Sequence, residues 1–377
     1  MIVAGIMSGT SLDGIDVALV EIKGKRIQTR AFHSTAYAPE VRAALLAVSN
    51  CETHTREIAR LHFLLPELYA AAFKACCKSA KIDPKTVGVI GCHGQTIFHE
   101  GAKTAVLGHQ IASTLQIGDG NILAARTGVP VISDFRPADI AAGGKGAPLV
   151  PYVDYLLFHH DEGSRVALNI GGIANITWLP AGAPPEKTVA FDTGPGNMVV
   201  DQLMAHYTQG EKTFDRGGEM AAEGLVHPEM VAEILRDPFY SERPPKTAGR
   251  EQYGREFVSR LLAYQMSPAD TVATATYLTA ASIADGITRF AGGEENPPDE
   301  VVVSGGGVHN KTLLRFLRAE LPETEVVRAE IHGFDPDAKE AVAFAILAHE
   351  SWHKRPSNLP SATGARHPAI LGKLSLP

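Results

Sequence analysis

The sequence predicts an α/β protein made of two similar halves, and three observations carry that expectation. Two apolar strand–turn–strand stretches, Ile2–Ile22 and Val166–Leu179, each bend about a run of small residues. A third strand-like run, Val301–Val303, passes through Ser304-Gly-Gly-Gly307 into a helical stretch, Lys311–Ala319. At 377 residues the chain exceeds one typical domain, so two are expected.

In the first half, Ile2–Met7 and Ile15–Ile22 flank the turn Ser8-Gly-Thr-Ser-Leu-Asp-Gly14, and Arg26–Ser34 reads as a third strand. Pro39–Ser49 and Thr55–Ala80 have helical periodicity, with Leu61, Leu64, Leu65, Leu68 and Ala72 on one face. Val87–Gly91 is a short buried strand ending at Cys92-His93; the histidine reads equally as a functional group or as a loop hydrogen-bonder. Gln110–Ile117 is a strand, Asn121 caps a helix to Thr127, and Val129–Ser133 is a strand followed by Asp134–Asp139. The glycine run Ile140–Pro148 is the expected linker, hinge and first domain boundary, giving domains 1–140 and 141–377, with the last helix a candidate to pack back on the first. Lys145 within it lacks the spacing of a P-loop.

In the second half, Gly171-Gly172 lets main-chain N–H groups approach a ligand, an arrangement that suits a phosphate. Val189–Phe191 ends on Asp192, a carboxylate able to take a proton, and Asn197 opens a helix, Met198–Tyr207. Strand ends beside helix N-termini are where α/β sheets put their chemistry. The plainer alternative is two tight turns and a solvated aspartate. Met220–Leu225 and Pro228–Leu235 read as helices, Ser241–Arg250 as a polar, Pro-rich interruption, and Asp270–Phe290 as a long helix. Gly305–Gly307 lets a planar ligand lie against the backbone. Glu325–Ala329 is a strand, and Ala338–Trp352 is a helix with Glu340 in its first turn, where the dipole favours a carboxylate. Pro356–Pro377 is expected to be irregular.

Composition excludes several classes. Hydrophobic content of 45% with 20% charged residues is that of a soluble globular protein. A net charge of −7 argues against a nucleic-acid partner. Cys51, Cys76, Cys77 and Cys92 show no metal spacing, which suits a reducing cytoplasm. The N-terminus lacks a signal-peptide pattern, and no apolar run is long enough to cross a bilayer.

The motifs Gly9-Thr-Ser-Leu-Asp-Gly14, His93-Gly-Gln-Thr96, Ser133-Asp-Phe-Arg136, Ala141–Pro151, Asn169-Ile-Gly-Gly172, Phe191-Asp-Thr-Gly-Pro-Gly-Asn197 and Gly305–Gly307 resemble those of the anhydro-N-acetylmuramic acid kinases. The resemblance is co-linear over nearly the whole chain. It implies membership of the actin, Hsp70 and sugar-kinase superfamily: two ribonuclease-H-like (actin-like ATPase) domains around an interdomain ATP cleft. It also implies a reaction in which ATP, water and 1,6-anhydro-N-acetylmuramic acid give ADP and N-acetylmuramic acid 6-phosphate.

Carried onto this sequence, the resemblance makes Asp192 the base for the attacking water. Gly9, Thr10, Ser11, Leu12, Asp13, Gly14, Ile15 and Asp16, with Gly171 and Gly172, would hold the phosphates, and Gly305, Gly306 and Gly307 would lie against the adenosine. Asp13 or Asp16 would bind Mg²⁺ through water. His93, Gln95 and Arg136 stand nearest the sugar's lactyl carboxylate, which suits the arginine's two-pronged fork. Asn197 and Glu340 complete the implied substrate residues. A cytoplasmic homodimer acting on small molecules is the family expectation. Two rivals remain at this stage: a kinase for another 1,6-anhydro sugar such as levoglucosan, and a non-catalytic ATP-binding protein of the actin or Hsp70 kind.

Overall fold

Strand β1 (Ile2–Ser8) is buried along almost its whole length, because it runs through the middle of a sheet covered on both faces. The structure is a computed structural model that describes residues 1–377 except Thr10, Ser11, Arg250 and Glu294. It divides into two compact units: Met1–Leu157 with Ala338–Pro377, and Phe158–Asp337.

In the first unit, β1 pairs antiparallel with β2 (Gly14–Lys23), which pairs antiparallel with β3 (Arg26–Ala36). On its other side β1 runs parallel to β4 (Val87–Val106), and β4 parallel to β6 (Val131–Ser133). Strand β5 (His109–Ile117) folds back on β4 as a long hairpin. In the second unit, β7 (Arg165–Ile170), β8 (Ile173–Leu179) and β9 (Val189–Pro195) form an antiparallel meander. There β7 runs parallel to β10 (Glu300–Ser304), and β10 parallel to β11 (Glu325–Arg328). Each unit thus repeats one scheme, an antiparallel three-strand meander followed by two parallel strands. This is the ribonuclease-H-like order that the resemblance implied.

One face of the first sheet is covered by helix Thr55–Ala80, through Leu61, Leu65, Tyr69 and Phe73. Leu64 was expected on that face but points outward, since the buried stripe follows steps of four. The other face is covered by helix Lys339–Trp352, which is buried nearly all round. Gly5 and Gly91 are register partners on β1 and β4. A Cβ on Gly5 would stand 1.8 Å from the Ala341 carbonyl oxygen, and one on Gly91 2.1 Å from that of Phe344. This glycine pair lets an alanine-rich helix lie directly on the strands. It is also why residues 338–377 belong to the first unit.

The division falls after Leu157 rather than at the glycine run 140–146, and the run is no loose linker. The Asp139 side chain, fully buried, accepts from the Gly146 N–H at 2.8 Å, the Asn358 amide at 2.6 Å and the Thr363 hydroxyl at 2.7 Å. The Lys145 N–H donates to the Thr363 carbonyl, and the Arg366 N–H to that of Ala142. The run is therefore stitched into the first unit, and a hinge at 143–146 is not what the structure supports. Helix Val150–Phe158, missed in the sequence, adds Val153 to the same core, beside Leu149 just before it.

Three further expectations change. Strand β4 continues through His93 and Gln95 to Val106, so those residues stand on a strand and not in a loop. Asp119, not Asn121, caps helix Gly120–Thr127, its carboxylate accepting from the N–H groups of Asn121 and Ile122. The tail is ordered enough to add β12 (Lys373–Ser375) antiparallel to β6.

The long helix Pro268–Phe290 organises the second unit. Ala280, Ile283, Ala284 and Ile287 face the sheet, while Val272, Ala275, Leu278 and Ala281 face a second cluster built from the helices after β9. Its buried threonines settle their hydroxyls on backbone carbonyls, as Thr276 does on Val272 and Thr279 on Gly196.

Candidate active site

The first unit contributes the turn between β1 and β2 and a polar cluster beside it. Among the described turn residues, the Gly9 carbonyl accepts from the Leu12 N–H at 3.2 Å and from the Gln95 amide at 3.1 Å. Leu12 takes a left-handed conformation and buries its side chain, and Asp13 is exposed. Thr10 and Ser11, expected at the phosphates, lie outside the described residues. Gly14 begins β2, packed so that a Cβ would stand 2.3 Å from the Thr35 carbonyl oxygen, and Ile15 is a core residue. Neither offers a side chain to a ligand.

Gln95 is a correction. It is fully buried, its carbonyl oxygen takes the Ser8 hydroxyl, and its amide nitrogen serves the carbonyls of Gly9 and Thr96. Its polar atoms hold the β1 turn in place and have nothing left for a sugar carboxylate.

His93 is also buried, and its tautomer follows from its partners. Arginine has no acceptor, so His93 Nε2 must accept from Arg136, from Nη2 at 2.9 Å and Nε at 3.3 Å. Nδ1 then carries the proton and donates to the Gly94 carbonyl at 2.8 Å. Burial and the adjacent guanidinium push its pKa down to about 3, so the ring is neutral. Arg136 opens the short helix Arg136–Ala141 and donates through Nη1 to the Gly146 carbonyl at 2.8 Å. Burial lowers its pKa to about 10, and the charges of Glu340 and Asp139 oppose that change. It stays a cation. Glu340 is solvent-accessible yet recessed among protein groups; desolvation, then the charge of Asp16, raise its pKa. His93, Arg136, Glu340 and Asp16 therefore belong to one electrostatic cluster in the first unit.

The second unit gathers its glycine turns around Asn197. The carbonyls of Gly171 and Gly172 accept from the N–H groups of Asn197 and Gly196 at 2.8 and 2.9 Å. Asn197 stands where a helix cap would, but its amide instead reaches the Ile170 carbonyl at 3.3 Å. Gly305 has φ +80°, and a Cβ there would stand 2.7 Å from Asn169 Oδ1; one on Gly307 would stand 2.3 Å from Ile170 Cγ2. The three-glycine turn is thus pressed onto the end of β7, against the same residues that carry Gly171 and Gly172.

Asp192 lies within β9, which continues to Pro195, with Asn175 of β8 as its partner across a register shift. One carboxylate oxygen accepts from the Ala248 N–H at 2.8 Å, and the Asp192 N–H donates to the Lys246 carbonyl at 3.1 Å. Burial raises its pKa to about 6, and the Ala248 hydrogen bond opposes that rise. It is a partly desolvated carboxylate, more basic than an ordinary aspartate. Asp139, Lys246 and Ala248 escaped the sequence reading; the only signal was a lone lysine in a polar, Pro-rich stretch.

A family model described as anhydro-N-acetylmuramic acid kinase matches residues 1–376. Curated relatives bearing that name include one from Caldanaerobacter subterraneus subsp. tengcongensis, 44% identical with 100% of this chain and 97% of the relative covered. One from Salinibacter ruber is 43% identical, covering 100% and 96% of the two chains. One from Bacillus cereus is 41% identical and covers both chains completely.

Proposed function

The chain belongs to the anhydro-N-acetylmuramic acid kinase family, and from that premise we propose how its residues divide the work. It is an ATP-dependent kinase of cell-wall recycling that opens 1,6-anhydro-N-acetylmuramic acid with water and phosphorylates O6. The observation that carries the residue assignment is Asp192: a partly desolvated carboxylate, held by the Ala248 N–H, whose pKa of about 6 leaves it ionised at neutral pH yet strongly basic for an aspartate.

Water attacks C1 of the anhydro sugar while Asp192 takes its proton. The C1–O6 bond breaks, and the electron pair stays on O6, which attacks the γ-phosphorus of ATP as ADP departs. The departing oxygen is itself the phosphate acceptor, so no separate acid is required. Arg136, kept charged and held by His93 and Gly146, has one N–H left on each terminal nitrogen for the lactyl carboxylate. The Gly9–Asp13 turn, Gly171 and Gly172 serve phosphate oxygens, and Gly305–Gly307 serve the adenosine.

Desolvation first, and then the charge of Asp16, raise the Glu340 pKa, and a divalent cation beside the two carboxylates would oppose both effects. Asp16, with Asp13 on the adjoining turn, would hold Mg²⁺, which when bound neutralises phosphate charge. The reading includes a cytoplasmic location, supported by four free cysteines among the described residues, and a homodimer, to be checked by light-scattering mass.

The test is ADP formation against a sugar panel. Turnover is expected with 1,6-anhydro-N-acetylmuramic acid and not with N-acetylmuramic acid, which has no 1,6-anhydro bridge to open. Levoglucosan lacks the lactyl and acetamido groups, and faster turnover on it would overturn the substrate assignment.

A further inference from the structure

Within the polar, Pro-rich stretch Ser241–Arg250, segment 246–248 touches Asp192 through its backbone: the Lys246 carbonyl accepts from the Asp192 N–H, and the Ala248 N–H donates to the Asp192 carboxylate. Backbone contacts are only as well placed as the segment that makes them. This one is anchored by the Lys246 side chain, which is 3% exposed; the other buried lysine, Lys339, is ion-paired with Asp154. Its ammonium donates to the carbonyls of Phe239 at 2.8 Å and Tyr240 at 3.0 Å. It also lies 4.7, 5.2 and 5.7 Å from the ring centroids of Phe239, Phe290 and Phe191. Two carbonyls and three aromatic rings hold the cation, with no carboxylate among the described residues in ion-pair contact with it.

We propose that Lys246 is a positioning residue for Asp192: by locking its ammonium into the Phe239–Tyr240 carbonyls and the phenylalanine cage, it fixes the backbone that aims the carboxylate. The proposal rests on Asp192 being the base. Phe191 immediately precedes Asp192 and forms one wall of the cage, so the lysine grips the carboxylate's strand from both directions. A buried methyl-terminated side chain could fill the cage equally well. What it would lose is the pair of carbonyl bonds that set where 246–248 lies.

The charged and titratable groups around this arrangement, among the described residues, are these. Asp192 faces Ala248 and the Tyr253 phenol, whose pKa it helps to raise. Lys246 feels Asp285, Glu242 and Arg289. The Ala248 N–H lowers the Asp192 pKa. Losing that bond moves the carboxyl further up, so less of the base is ionised at a given pH.

The experiment compares Lys246→Met and Lys246→Arg with the wild type in the full-length protein. The Asp192 carboxyl titration is read by carbon NMR, its resonance identified by its absence in Asp192→Asn, beside kcat and KM against pH. In Lys246→Met the Asp192 titration and the acid limb of kcat are expected to move together to higher pH. kcat at neutral pH is expected to fall by roughly 10²-fold, with both KM values nearly unchanged. Lys246→Arg keeps donors for both carbonyls and is expected to restore the wild-type titration. A Lys246→Met protein with an unshifted Asp192 titration overturns the proposal, whether or not its melting temperature falls. Should Lys246→Met not fold, Lys246→Gln, which keeps one donor, is read in the same way. If Asp192→Asn retained full turnover, the base assignment would fail, while the titration would still decide whether Lys246 positions the carboxylate.

Discussion

The guanidinium of Arg136 donates to Nε2 of His93 at 2.9 Å, and the imidazole in turn donates from Nδ1 to the Gly94 carbonyl. A neutral histidine is used here as a fixed acceptor. With Nη1 held on the Gly146 carbonyl, the arginine's fork is oriented before any ligand arrives, so little entropy is lost when a carboxylate binds.

Arg136→Ala should therefore raise KM for the anhydro sugar far more than KM for ATP. Steady-state kinetics with each substrate varied in turn checks this. Equal effects on both would make Arg136 a structural residue.

His93→Asn removes the acceptor that fixes Arg136 but no titrating group, because burial keeps His93 neutral down to about pH 3. The variant should weaken sugar binding while leaving the acid limb of kcat where it was. That limb should lie near pH 6, since Asp192 must be ionised to act and its activity grows as pH rises through its raised pKa. An acid limb that vanished in His93→Asn would transfer the titration from Asp192 to the histidine.

Much of the fold was legible because glycine turns and strand-like runs are local signals. Both hairpins, the β10 strand with its Gly305–Gly307 turn, and the helix at Thr55–Ala80 stand where periodicity and turn chemistry indicated. What was not legible depended on distant partners. Gln95 looked like a ligand residue until Ser8 and Gly9 were seen to occupy its amide. The glycine run at 140–146 looked mobile because the residues that fasten it, Asn358 and Thr363, lie far along the chain. Lys246 gave no signal beyond its standing alone in a polar, Pro-rich stretch, since its role is set by the carbonyls and rings that the fold brings to it.

Gly5→Ala and Gly91→Ala should each destabilise the first unit, because the added methyl would meet the backbone of helix Lys339–Trp352 and not a flexible side chain. Overpacking of this kind costs roughly 1–3 kcal/mol or more. Urea unfolding of each variant measures it, and a change within error would contradict the close helix-on-sheet contact.

Asp139→Ala would leave the Gly146 N–H, the Asn358 amide and the Thr363 hydroxyl without their buried acceptor. The expected loss is roughly 3 kcal/mol, with Lys145 becoming more accessible to protease as the glycine run loosens. Wild-type stability with unchanged cleavage would show that the run is held by other means.

The most direct measurement is on Asp192→Asn. The amide keeps the shape of the side chain and its place beside the Ala248 N–H, but it cannot take a proton from water at C1. ADP release and ring-opened sugar are measured in parallel, with calorimetric affinities for ATP and for the anhydro sugar. Both product rates should fall together by about 10²–10⁴-fold, the usual contribution of a positioned base, with both affinities nearly unchanged. Turnover close to wild type, or ADP release that continues while ring opening stops, would contradict Asp192 as the base of a coupled reaction.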